Sequence, residues 1–357
     1  MNLYGRSLIS LKDFTPQEIR YFLDVAKKAK EEHHKGIRKQ RFLGMTIALL
    51  FEKRSTRTRC SFETAFGEEG GHPVFLSSAD IQLGMKETVE DTAYVLGRMF
   101  DCIEFRGFKT RHVEILSEVS GIPVINGLSD DFHPTQVLAD LMTLEEHFGT
   151  LKGKKLAFVG DGRNNMANSL MIGCAKMGVD VAIVAPDELH PEPELVKLAE
   201  GFAQEAGSTV LITSDVDTGI KGADVIYTDV WASMGEEAKL AERIKLLKPY
   251  QVNADLMAKT GKKSVFMHCL PAVRNNEVTP EVIDGPQSVV WDEAENRKWT
   301  ITAVMLCLLG KEDESNPADS LLLLFLRMGV EVFVPLCALI IIVNHISLLG
   351  HICQIVV

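Results

Sequence analysis

Six short stretches carry residue types able to handle a small, phosphate-bearing substrate. The first is Ser55-Thr56-Arg57-Thr58-Arg59, between an apolar run and a segment that resumes helical spacing. Hydroxyls, backbone N–H groups at a helix start and a guanidinium fork all suit phosphate oxygens. An ordinary helix cap followed by solvated arginines is the plainer reading. The second is His133-Pro134-Thr135-Gln136, with Arg106 upstream in Glu104-Phe105-Arg106-Gly107. A His and a Gln flanking a helix start could polarise a carbonyl and hold an amide in one orientation. A His before Pro is also a common turn residue.

The third stretch is Gly160-Asp161-Gly162-Arg163-Asn164-Asn165 after Phe158-Val159. It resembles a dinucleotide-binding turn, but Asn165 stands where the third glycine belongs. Two asparagines at a strand end still suit a small polar ligand. The fourth and fifth, Asp229-Val-Trp-Ala-Ser233-Met234-Gly235 and His268-Cys269-Leu270-Pro271, also follow apolar runs. Cys269 alone reads equally well as an inert small hydrophobe. The sixth is Glu293-Ala-Glu-Asn-Arg297, which could equally be an exposed helix start.

These stretches need elements to aim them. Thr15-Pro16-Gln17-Glu18 is a capping box with Pro at the first helical position, opening an amphipathic helix to about Lys30. Thr46–Phe51 predicts a buried strand running straight into the Ser55 loop. Further strands are expected at Pro123–Ile125, Lys155–Val159, Val179–Val184, Thr209–Thr213, Val225–Thr228, Val265–His268 and Ser288–Trp291. Helical segments such as Ser169–Met177 and Pro191–Ala206 alternate with them. The pattern predicts an α/β fold with parallel sheets flanked by helices. A boundary falls near Gly149–Gly153, after the helix Thr135–Phe148.

The bulk numbers narrow the classes. At 357 residues the chain is comfortable as two domains, and 46% hydrophobic with 24% charged residues is a globular balance. A formal charge of −11 argues against general nucleic-acid binding, while clustered arginines can still make a local anion site. Seven scattered cysteines without a CxxC pair predict reduced thiols, and the N-terminus lacks a secretory pattern; both point to the cytoplasm.

Together and in this order, the six stretches resemble the aspartate/ornithine carbamoyltransferase family, from about Leu3 to Gly310. Ser55-Thr56-Arg57-Thr58 is similar to its carbamoyl-phosphate loop, and His133-Pro134-Thr135-Gln136 to its second signature. Asp229 with Ser233-Met234-Gly235, and His268-Cys269-Leu270-Pro271, resemble the ornithine branch. The putrescine branch is the near rival, because Ala272–Val278 resembles it. A catalytically silent relative and a Rossmann-type oxidoreductase also stay open at this point.

The resemblance implies two α/β domains: 1–148 for carbamoyl phosphate and 149–300 for ornithine. A C-terminal helix, 301–317, would pack back on the first domain. It implies that Ser55, Thr56, Arg57, Thr58 and Arg106 hold the phosphate, and His133 and Gln136 the carbamoyl group, with Pro134 and Thr135 in the same signature. Gln82, in Asp80-Ile-Gln-Leu-Gly84, would join the donor site from a neighbouring subunit of a homotrimer. Asn165, Asp229, Ser233 and Met234 would bind ornithine, Cys269 and Leu270 would line the site, and Arg297 would complete it.

Carbamoyl phosphate is a mixed anhydride, so positioning and charge stabilisation suffice, and no metal or organic cofactor is expected. The acceptor must be a free amine, of which only about 0.1% exists at neutral pH for an alkylamine of pKa about 10.4. Asp229 and Cys269 are the residues expected to orient it and to take or relay its proton.

The segment 318–357 lies outside the resemblance. After Glu331 it is apolar or weakly polar, interrupted by Pro335, Asn344, His345 and His351. A membrane tail anchor and an added oligomer contact are two readings. The polar interruptions favour a third, translated sequence from beyond a lost stop codon, over membrane contact.

Overall fold

The structure, a computed structural model, describes residues 1–83, 86–232, 238 and 240–312. The expectations for Ser233, Met234, the end of the 301–317 segment and the tail 318–357 fall outside the described residues.

The first helix, α1 (Pro16–His34), starts where the capping box places it. The Thr15 hydroxyl accepts from Glu18 N–H at 3.2 Å and Glu18 Oε2 accepts from Thr15 N–H at 2.7 Å. Four strands follow: β1 (Thr46–Phe51), β2 (His72–Ser77), β3 (Cys102–Arg106) and β4 (Val124–Leu128). They form an all-parallel sheet in the order β2-β1-β3-β4. Helices α2 (Thr56–Glu68), α3 (Val89–Met99) and α4 (Thr110–Val119) connect them. Strands covered on both faces need continuous apolar runs rather than alternation, which is how Ile47–Phe51 reads and why it is buried throughout.

Helix α5 (Pro134–Phe148) leads out of this sheet and stops at Gly149, whose φ of 74° is the left-handed conformation that ends helices. The second sheet contains β5 (Lys155–Val159), β6 (Asp180–Val184), β7 (Val210–Thr213), β8 (Val225–Tyr227) and β9 (Val265–Met267). It too is parallel, in the order β7-β6-β5-β8-β9. Helices α6 (Asn165–Lys176), α7 (Pro193–Ala206), α8 (Val216–Ile220), α9 (Leu240–Leu247), α10 (Ala254–Lys259) and α11 (Pro280–Ile283) link or flank these strands.

The last described helix, α12 (Val290–Leu309), packs against α1, α2 and α5. It overturns the strand expected at Ser288–Trp291. Only one bridge forms there, with Phe266 N–H donating to Gln287 O at 2.8 Å and Val289 N–H to Phe266 O at 3.0 Å. Asp292 and Glu293 then sit in the first helical turn, where acids favour a helix. β-Branched and aromatic composition points to strand; the helix wins because its far end is buried on three other helices.

No helix among the described residues is long and apolar enough to cross a membrane.

Candidate active site

Each sheet reverses direction once, and the site stands at both reversals. In the first sheet the chain lays β2 on one side of β1 and β3 on the other, so the switch lies between β1 and β3. In the second it lies between β5 and β8. Loops leaving a parallel sheet at such a point diverge and open a crevice at the strands' carboxyl ends. The loop after β1 carries Ser55–Thr58, and β3 ends in Arg106. The loop after β5 leads to Asn165, and the one after β8 begins near Asp229.

One cavity of about 940 Å³ collects these ends. Its walls include Ser55, Thr56, Arg57, Thr58, Arg106, His133, Asn165, Asp229, Cys269, Leu270 and Arg297, eleven of the residues singled out from sequence. Lys53, Arg54 and Arg59 extend its basic rim.

The basic wall is tightly built. Ser55 caps α2, its hydroxyl accepting from Thr58 N–H at 3.1 Å. Two guanidiniums meet the Thr58 hydroxyl: Arg106 Nη1 at 3.3 Å and Arg297 Nη2 at 3.2 Å. Both arginines are almost fully buried, and the Nε–H of each has no protein partner. Burial is the main reason their pKa values fall to about 10, with mutual repulsion adding to the shift of Arg106. Both stay cationic at neutral pH. Burial also lowers Arg57, while Cys269, Asp229 and Glu293 partly restore it. Cations this close are costly unless an anion offsets them.

His133 occupies the N-cap of α5. Its backbone N–H donates to the Ser169 hydroxyl at 2.8 Å, and Nδ1 lies 3.5 Å from Thr135 Oγ1. Burial, then the charges of Arg297, Arg106 and Arg57, hold its imidazole well below the usual 6.5. It is a neutral hydrogen-bonding group in a strongly positive place.

The second wall is acidic. Asp229 Oδ1 accepts from Val230 N–H at 2.8 Å and from the Cys269 thiol at 3.2 Å, and Oδ2 accepts from Asn164 Nδ2 at 3.1 Å. Asn164 has no role in the family resemblance; it caps α6 through Ala167 N–H and so ties that helix start to Asp229. Asn165, its neighbour, donates to Ser129 O at 2.8 Å, joining the two sheets' loops. Cys269 keeps part of its surface open to the cavity, yet burial of the thiol and the Asp229 charge raise its pKa well above the usual value.

Other residues stand apart. Pro134, Thr135 and Gln136 do not line the cavity; Thr135 and Gln136 instead back Arg297, which donates to Gln136 Oε1 at 2.6 Å and reaches Thr135 Oγ1 at 3.5 Å. Gln82 lies off this cavity within the chain. The second glycine of the dinucleotide-like turn has a packing reason, since a Cβ on Gly162 would lie 2.6 Å from the Leu189 carbonyl oxygen.

Asp229, His268 and Cys269 place potential ligand atoms within 4.8 Å of one another. The histidine is already committed: Nδ1 accepts from Leu270 N–H at 2.8 Å and Nε2 faces Glu277 at 3.3 Å. A metal would have to break that arrangement to use His268, so the trio fits a hydrogen-bonded wall better than a metal cage.

Comparison with known proteins decides what the two walls belong to. Residues 6–146 match the carbamoyl-P binding domain, and 152–308 the Asp/Orn binding domain, of aspartate/ornithine carbamoyltransferase. This chain belongs to that family. Among similar proteins, the ornithine carbamoyltransferase of Caldanaerobacter subterraneus subsp. tengcongensis is 66% identical over 309 residues, covering 86% of this chain and 99% of that one. That of Thermotoga maritima is 61% identical over 310 residues, covering 87% and 99%. The solved ornithine carbamoyltransferase of Pyrococcus furiosus superposes with a TM-score of 0.84 at 47% identity, covering 87% of this chain and 99% of that one. Family membership disposes of the oxidoreductase reading.

Proposed function

We propose that this protein moves the carbamoyl group of carbamoyl phosphate onto the side-chain amine of L-ornithine, giving L-citrulline and phosphate. The observation that carries the reading is that one cavity is lined by Arg57, Arg106 and Arg297 together with Asp229 and Cys269. Such a cleft offers charge both to an anion and to an amine.

In this reading Arg57, Arg106 and the Ser55–Thr58 turn hold the phosphate, and Arg297 completes the positive wall. The neutral His133 and Thr58 donate to the carbonyl oxygen as it gains charge. Asp229 draws the acceptor's amine toward the carbonyl carbon, and Asn165 helps to place the amino acid. The amine's lone pair forms the new C–N bond, and the C–O bond to phosphorus breaks with its electron pair leaving on phosphate. The nitrogen's surplus proton passes toward Asp229. With its thiol protonated at neutral pH, Cys269 orients Asp229 as a donor and does not serve as the resting base. Preorganised charges of this kind are usually the largest contribution to such a reaction, and no metal or organic cofactor is called for.

The same reading divides the chain into a carbamoyl-phosphate domain at 1–148 and an ornithine domain at 149–300. Ser233 and Met234 would help to bind ornithine. Gln82, off the cavity of its own chain, would complete a neighbour's site in a homotrimer, and Gln136 would help hold the carbamoyl group only through Arg297. The protein would work in the cytoplasm, in arginine synthesis or breakdown; the relative from Bacillus licheniformis, 56% identical, is described as catabolic.

The reading is tested by supplying purified protein with ¹³C-carbamoyl phosphate and L-ornithine. Label should appear in the ureido carbon of citrulline, with one phosphate released for each. Phosphate release without labelled citrulline would contradict it.

A further inference from the structure

We propose that Glu293 is a positioning residue that holds the two halves of the site in register, fixing the Gln136 amide on one side and the strand end leading into Cys269 on the other. The proposal rests on the carbamoyl-transfer reading and assigns a role to a residue that lines no part of the cavity.

Glu293 is fully buried in the first turn of α12, one turn before Arg297. Its carboxylate accepts three hydrogen bonds from three separate elements. Gln136 Nε2, on α5, donates to Oε1 at 3.0 Å, and the Tyr227 hydroxyl, on β8, donates to Oε1 at 3.1 Å. The backbone N–H of His268, just beyond β9, donates to Oε2 at 3.0 Å. Residues 136, 227 and 268 thus come from both sheets' halves of the chain, and His268 immediately precedes Cys269.

The consequence for the basic wall is geometric. Gln136 Nε2 donates to both Glu293 and Asp140 Oδ1, the latter at 2.8 Å. Its amide oxygen therefore faces the other way, toward Arg297 Nη1 at 2.6 Å. Flipping the amide would set NH₂ against guanidinium and turn its oxygen toward two carboxyl oxygens, a costly exchange in a buried place. The direction of the Arg297 fork is thereby tied to the same carboxylate that pins the approach to Cys269.

Asp140 is the companion that makes this stable. It is fully buried, and its Oδ1 shares the Gln136 amide with Glu293 Oε1, so two carboxyls meet in one dry place where a single proton relieves their repulsion. Burial and the Glu293 charge hold the Asp140 carboxyl well above the usual carboxylate range. Glu293 already takes three donors, so it is the acceptor of the pair and Asp140 carries the hydrogen. An amide at position 140 reproduces that donor, whereas an amide at position 293 must turn an NH₂ toward groups that themselves donate.

The test compares wild type, Glu293→Gln and Asp140→Asn by kcat, by KM for both substrates, and by calorimetric titration with inorganic phosphate. For Glu293→Gln, kcat should fall about 100-fold, the scale of an ångström-sized misplacement in a reacting pair. Both KM values and the phosphate Kd should stay within about threefold, because each half-site persists. Asp140→Asn should recover most of the turnover. Equal losses in the two variants, or Glu293→Gln within twofold of wild type, would overturn the assignment. If Glu293→Gln does not fold, Glu293→Asp carries the test. It keeps the charge but withdraws the acceptor by one methylene, and at least a tenfold fall in kcat is expected; less than twofold overturns the proposal. Wild-type turnover with unimpaired variants refutes this role alone, whereas wild type without citrulline refutes the carbamoyl-transfer reading as well.

Discussion

Cys269 gives its thiol hydrogen to Asp229 Oδ1 across 3.2 Å, where the ends of β9 and β8 meet the cavity. The bond runs from sulfur to carboxylate, so in the resting enzyme the negative charge facing the acceptor resides on Asp229. Asp229→Asn should therefore cost about 100-fold in kcat/KM for ornithine, the scale of losing a preorganised charge. Cys269→Ala should cost less, because Asn164 and Val230 N–H still hold the carboxylate. Steady-state kinetics over both substrates checks this; a larger loss for Cys269→Ala than for Asp229→Asn would reverse the assignment.

Arg297 presents two guanidinium nitrogens to fixed partners, Gln136 and Thr58, and an ammonium cannot reproduce that fork. Arg297→Lys is expected to lower kcat/KM for carbamoyl phosphate by about 100- to 1,000-fold, as for loss of a strong transition-state donor. Circular dichroism should show the fold retained. Retention of more than a tenth of wild-type kcat/KM would remove Arg297 from the donor site.

His133 makes a pH prediction with a definite sign. Its folded pKa lies below the usual 6.5 because burial and three arginines oppose the cation. As pH falls through 6.5 the unfolded chain binds this proton and the folded one does not, so stability declines from there downward. Thermal unfolding between pH 7.5 and 5 should show a smaller acid-side decline for His133→Gln than for wild type. Between pH 6 and 8, kcat should show no limb belonging to His133. Identical stability profiles would mean that the imidazole titrates normally.

Much of the basic wall is legible in sequence because its residues are contiguous: Ser55, Thr56, Arg57 and Thr58 follow β1 directly, and one strand-loop-helix unit builds the cap and the charge together. The parallel α/β class is legible for a similar reason, since buried runs such as Thr46–Phe51 are continuous along the chain. What joins Arg106 to Thr58, or Asn164 to Asp229, is strand order, and no local pattern states which strands are neighbours. Gln136 belongs to a recognisable signature, yet its burial behind Arg297 depends on α12 returning from the far end of the chain. Glu293 reads locally as an exposed acid at a helix start. Only Tyr227, His268 and Gln136 arriving from elsewhere make it a buried acceptor.

The most direct test of the central claim is acceptor choice. Purified protein given carbamoyl phosphate with L-ornithine, putrescine or L-aspartate in parallel should show kcat/KM for ornithine at least about 100-fold above either rival, the scale set by a correctly paired polar site. Equal or faster carbamoylation of putrescine would show that the second wall is shaped for a plain diamine, and turnover with none of the three would contradict the account outright.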